Sequence, residues 1–140
     1  MDINNLSVFP VGGKNDAFAK YFIGQSYLNM LSTEQVVIGN VTFEPKCRNN
    51  WHIHRSGKGG GQILLVTAGK GWYQEWGKAP RALKAGDVVN IPANVKHWHG
   101  ASKDSCFQHL AIEVPAENGK TEWCEPVTDE EYNKLEDKYV

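Results

Sequence analysis

Between Gln35 and Pro115 the chain is a succession of short runs rich in β-branched and aromatic residues, each stopped by glycine or proline. That punctuation restricts the fold to a β-sandwich or barrel. QVVIGNVTFEP (Gln35 to Pro45) is strand-like and ends at a turn signal, and QILLVTAG (Gln62 to Gly69) is a compact run of strand formers. The turn GKG at Gly69 to Gly71, followed by WYQEW, predicts a hairpin. AGDVVNIPA sets a turn before a further strand that closes at Pro92. In CFQHLAIEVP (Cys106 to Pro115) the residues alternate. Phe107, His109, Ala111 and Glu113 share one face, and Gln108, Leu110, Ile112 and Val114 share the other.

Helical signals lie at the C-terminal end. Thr128 and Glu131 form a capping box, Val127 and Tyr132 its hydrophobic staple, and Tyr132, Leu135 and Tyr139 an apolar stripe for packing on the body. The segment NDAFAKYFIGQSYLNML mixes signals and receives no assignment. The chain thus divides into an N-terminal arm over 1–34 that packs on the barrel or a partner subunit, a β core over 35–115, and a C-terminal extension with a helix over 116–140.

With 140 residues the chain forms one domain with a sizeable core. A formal net charge of -1 gives no footing for nucleic acid or an anionic membrane surface. MDINNLSVFP has neither a basic region nor an apolar run of signal-peptide type, and no apolar stretch approaches the roughly 18 residues that span a bilayer. Cys47, Cys106 and Cys124 are scattered and odd in number, which suits a reducing compartment; the expectation is a cytoplasmic protein.

All five histidines fall in strand-flanked places: His52 and His54, His97 and His99, and His109. Residues two apart on a strand face the same way, so each His-x-His pair can aim both imidazoles into one cavity. One such pair alone is ordinary polar filling. Two pairs, with a single further histidine, point to a shared site for a divalent ion such as Mn, Fe, Zn or Ni. The glycines of GKGGGQ lack the Lys-Ser/Thr pair and the following helix that a phosphate loop needs, so they read as a flexible loop, and a lid role for Gly57 to Gly61 stays open. No G-x-S-x-G elbow occurs, and Cys106 and His109 stand at an offset that places them on opposite faces of a strand. Trp51 and Trp98 adjoin histidines and are expected to wall the pocket.

These residues resemble the cupin family of small β-barrels. Its first motif, G-x5-H-x-H-x3-4-E-x6-G, is matched by His52, His54, Gln62 and Gly69; its second, G-x5-P-x-G-x2-H-x3-N, by Gly86, Pro92 and His97. Gln62 stands in place of the usual glutamate, RSGKGGG widens the gap before it, and Asn94 and Ala101 replace a glycine and an asparagine. A neutral amide leaves the site more positive, which strengthens Lewis acidity and weakens retention of the ion. A narrower resemblance extends to Tyr132. The sequence is similar to single-domain bacterial cupins near the carboxymuconolactone-decarboxylase-associated cupins and the manganese-dependent hydroxynitrile lyases.

That resemblance implies a double-stranded β-helix, or jelly-roll, barrel with a short C-terminal helix and one divalent ion per chain. It implies His52, His54, Gln62 and His97 as ligands, with His99 and His109 lining the substrate cavity, where either can shuttle a proton. The implied activity is a metal-dependent lyase reaction on a small carbonyl- or hydroxyl-bearing molecule. A decarboxylase or isomerase acting on an aromatic or sugar-like acid, an iron-dependent dioxygenase and a non-enzymatic small-molecule binder are the alternatives. Cupin barrels commonly pair through their sheets, which implies a homodimer or larger assembly.

Overall fold

The structure, a computed structural model, describes residues 2–139, with side chains through Leu135. β1 (Gly13–Lys14) precedes the unassigned N-terminal segment, which supplies a 3-10 turn at Asp16–Tyr21, β2 (Phe22–Ile23) and most of β3 (Ser26–Ser32). Then come β4 (Ile38–Phe43), β5 (Arg48–Asn49), β6 (His52–Arg55), β7 (Lys58–Gly59) and the long β8 (Gln62–Glu75). Next are β9 (Arg81–Lys84), β10 (Val88–Ile91), β11 (His97–Ala101) and β12 (Phe107–Glu113). The short β13 (Ala116–Glu117) and β14 (Lys120–Trp123) precede the helix α1 (Asp129–Tyr139).

Twelve of these strands join in one sheet that curls on itself, the all-β architecture expected. One wall runs β1-β3-β4-β12-β8-β10; in the other, β8 pairs with β9 and β11, and β11 leads through β5 and β6 to β2 and β14. Phe43, Leu64, Val66, Tyr73, Val89, Ile91 and Phe107 fill the space between the walls. Among the described residues no helix is long and apolar enough to cross a membrane.

The expected hairpin at Gly69 to Gly71 does not form. Instead β8 continues unbroken from one wall into the other: residues to Gly69 pair with β10 and β12, and residues from Lys70 onward with β9 and β11. The reason is local. Gly69 takes φ +74°, so the alternation of the strand changes phase there. Gln62, Leu64, Val66 and Ala68 are buried before it, and Tyr73 points into the same core after it. Residues that resemble a turn in sequence here make a corner.

Outside the second wall a separate apolar cluster holds Trp51, Trp72, Trp98, Val127, Tyr132 and Leu135. It seats α1. The capping box forms as expected: Thr128 Oγ1 accepts from the Glu131 N–H at 3.2 Å, and the Thr128 N–H reaches Glu131 Oε1 at 3.4 Å. Val127 and Tyr132 lie in this one cluster, whereas the side chain of Tyr139 lies outside the described residues. The buried Arg48 guanidinium donates to Val127 O at 2.8 and 3.1 Å and to Asp129 at 2.7 Å, and lies 4.4 Å from the Tyr132 ring. One cation thereby ties the start of the helix to β5.

The glycine-rich stretch is braced on both sides. Lys58–Gly59 pairs with Ala116–Glu117, and Asn94, in a left-handed conformation with φ 65°, clamps the Ser56 backbone through both atoms of its amide, each at 3.0 Å. Asparagine tolerates that conformation better than other residues with a Cβ, which explains how it stands where the motif has glycine.

The corner makes a specific demand. A Cβ at Gly69 would lie 1.8 Å from Cys106 O. Gly69→Ala should therefore destabilise the fold by about 2 kcal/mol or more in urea denaturation, from the left-handed backbone plus the clash. An unchanged midpoint would remove the corner role.

Candidate metal centre and cavity

His52 and His54 share one face of β6, and His97 enters from β11 as the direct cross-strand partner of His52. The ring centroids are 4.2 Å apart for His52 and His97, 5.1 Å for His52 and His54, and 5.2 Å for His54 and His97. One nitrogen from each of the three lies within 4.8 Å of the others, a spacing that can hold a metal ion. Gln62, 7% exposed at the start of β8, lines the same cavity as His52 and His54.

The tautomers follow from the backbone. His52 Nδ1 lies 2.8 Å from Asn50 O and His97 Nδ1 lies 2.9 Å from Val95 O. A carbonyl only accepts, so each Nδ1 carries the hydrogen and each Nε2 is left as a bare lone pair, the form that binds a metal. His54 Nε2, His97 Nε2 and Gln62 Oε1 are buried and have no hydrogen-bond partner. Gln62 lies near His54 without meeting hydrogen-bond geometry. Two buried acceptors, His97 Nε2 and Gln62 Oε1, together with the unpaired His54 Nε2, are costly to leave unmatched, so this set of side chains fits a divalent ion.

His99 and His109 line the same cavity. His109 Nε2 and His99 Nδ1 are 3.1 Å apart, so one hydrogen bridges them. Asn49 Oδ1 accepts the His99 backbone N–H at 3.0 Å, and the Asn49 amide nitrogen lies 3.2 and 3.3 Å from the two nitrogens of the His99 ring. Burial is the main cause that holds these imidazoles neutral. It pushes His97 and His109 down to about 4, and drives His52 and His99 well below 6.5, with the neighbouring imidazoles adding to the effect. His54 is lowered by burial too, partly offset by the Glu113 carboxylate and the Gln62 amide.

The cavity measures about 240 Å³ and its wall is largely apolar, with Phe18, Phe22, Leu28, Met30, Val37 and Val41. Trp51 and Trp98 take no part in it, contrary to the expectation. Neighbours on a strand point to opposite faces, so the residues beside His52 and His97 join the outer cluster under α1. Trp123 of β14 lines the cavity instead, stacked 4.8 Å from His52 on one side and 4.4 Å from Tyr21 on the other. Sequence reasoning also passed over Asn49 and Glu113. Glu113 had a signal, since it alternates onto the face of His109, whereas Asn49 and Trp123 had none.

A curated relative from Granulicella tundricola, (R)-mandelonitrile lyase, is 44% identical over 95 residues, which cover 68% of this chain and 70% of that protein. A cupin-like protein of Thermotoga maritima superposes with a TM-score of 0.79 at 43% identity, covering 91% of this chain and 96% of that one. A cupin-2 domain protein of Rhodospirillum rubrum shares the fold at 18% identity, with a TM-score of 0.57 over 85% of this chain and 74% of that one. No protein-family model matches the chain.

The neutral imidazoles set an acid limit on the metal-free protein. Their folded-state pKa values lie below the unfolded value, so the unfolded chain binds more protons and stability falls as pH falls. Thermal unfolding of the metal-free protein should shift to lower temperature between pH 6.5 and about 4, the window set by His97 and His109. A flat profile across that window would show that these imidazoles are not held neutral.

Proposed function

The chain belongs to the cupin family, and within it we propose a divalent-metal-dependent lyase that cleaves a small, uncharged, hydroxyl-bearing substrate of cyanohydrin type. The observation that carries this reading is that His52, His54 and Gln62 line one apolar cavity with His97 clustered beside them, a set suited to an ion, and that a separate hydrogen-bonded pair of neutral histidines lines the same cavity. The relative named (R)-mandelonitrile lyase supports the choice of reaction class.

His52, His54, Gln62 and His97 would hold the ion, which when bound supplies Lewis acidity at a substrate oxygen. The remaining work falls to the chain. His99 and His109 share one hydrogen, so the pair keeps an imidazole acceptor for the substrate hydroxyl proton and returns that proton to the leaving group as the carbon–carbon bond breaks. For a cyanohydrin the products are an aldehyde and hydrogen cyanide, and the proton count balances. The apolar wall and the stacked Trp123 hold the carbon body of the substrate and keep water out. Among the described residues lining the cavity there is no lysine or arginine, and the one charged residue is Glu113. Apart from the ion itself, a carboxylate-bearing substrate finds no counter-ion among these side chains and meets Glu113, which favours an uncharged one.

Metal-stripped protein should not cleave mandelonitrile and should regain turnover when a divalent ion is added, equally with and without oxygen. His99→Ala and His109→Ala should keep their metal and lose at least about a hundredfold in kcat. Turnover by the metal-free protein, or an oxygen requirement, would overturn the lyase reading. Loss of metal from both variants would overturn the division between ligands and proton carriers.

A further inference from the structure

The four candidate ligands are three neutral imidazoles and one neutral amide, and an amide is an ambivalent ligand. Only its oxygen can bind a cation, and rotation about the last side-chain bond would put the NH2 group in that place. From the surroundings of Gln62 we infer that Glu113 is the positioning residue that makes Gln62 a ligand and supplies the negative charge that the ligand set lacks. The inference rests on the reading of this cavity as a metal centre.

Gln62 and Glu113 are direct cross-strand partners where β8 meets β12. Gln62 Nε2 donates to Glu113 Oε1 at 2.5 Å. A carboxylate accepts and does not donate, so the NH2 group must face Glu113 and Oε1 must face away from it. That oxygen is buried with no partner, as are His54 Nε2 and His97 Nε2. The strand end that carries Glu113 is held by its own N–H, which donates to Val37 O at 3.0 Å. Among the described residues no lysine or arginine forms an ion pair with Glu113. Its charge is thus available to the cavity, where a low dielectric strengthens it. The usual glutamate of the motif is in effect moved out by one residue: the ligand is neutral and the charge stands behind it. Such an arrangement keeps the bound ion strongly electron-accepting and still retained.

The test is a titration of metal-stripped proteins with Mn(II) in competition with a chromophoric chelator, alongside thermal unfolding of the same metal-free proteins. Glu113→Gln, whose amide oxygen can still accept from Gln62 Nε2, should weaken Mn(II) binding by about tenfold to a hundredfold with the metal-free unfolding temperature nearly unchanged. Glu113→Ala should instead lose affinity and some metal-free stability together. The exchange variant Gln62→Glu/Glu113→Gln keeps one carboxylate and one amide across the same pair, and should recover most of the affinity. Single variants that bind as tightly as wild type would overturn the inference, and so would an exchange variant no better than Glu113→Gln. A matching loss of metal-free stability in Glu113→Gln would do the same, because it would mark Glu113 as a strand-pairing residue only. If wild type takes up no Mn(II), the metal reading falls as well; if it binds and the Glu113 variants bind equally, this inference falls alone.

Discussion

The cross-strand pairing of His97 with His52 is the register on which the site depends. It places two imidazoles from strands far apart in sequence side by side, and the alternation of β6 adds His54 on the same face. A slip of one residue would replace His97 by Lys96 or Trp98 and turn the imidazoles toward α1. The register is held from the outside as much as from within. Trp51 and Trp98, the neighbours of the two paired histidines, are buried in the cluster that the helix covers, and Arg48 pins the start of that helix. Packing on the outer face thus sets which side chains face inward.

The same geometry carries a cost that the fold accepts for its chemistry. Four imidazoles line one cavity with a fifth, His97, packed beside His52, and burial holds all five neutral. His54 Nε2, His97 Nε2 and Gln62 Oε1 go unpaired. A barrel selected only for stability would fill such positions with apolar side chains, because an unpaired buried acceptor costs about 1–3 kcal/mol. Three of these atoms gathered around Gln62 indicate a ligand there, whereas His99 and His109 already face each other through Nδ1 and Nε2, with His109 Nδ1 left unpaired.

Much of the site was legible because strand alternation is a strict rule. The two His-x-His pairs and His109 could be brought together by strand alternation, Gln62 joined them only through the family resemblance, and the capping box at Thr128 marked the helix. What could not be read depended on pairing. Gly69 to Gly71 carries turn chemistry, yet a left-handed glycine serves a corner within a strand as well as a reversal, and only the partners of β8 on each side tell them apart. Trp51 and Trp98 were misplaced because adjacency in sequence means opposite faces on a strand. Glu113 alternates with His109, but its link to Gln62 exists only in the β8–β12 register. Trp123 reaches the cavity through the pairing of β14 with β6, which leaves no periodic trace in so short a strand.

The central claim is that His52, His54, Gln62 and His97 are one coordination sphere. Crystals of the protein loaded with Mn(II), measured at the manganese absorption edge, test it most directly. The account predicts a single anomalous peak per chain, at coordination distance, roughly 2.0–2.3 Å, from a nitrogen of each of the three histidines and from Gln62 Oε1. A peak elsewhere, or one that leaves Gln62 turned toward a different partner, would contradict it.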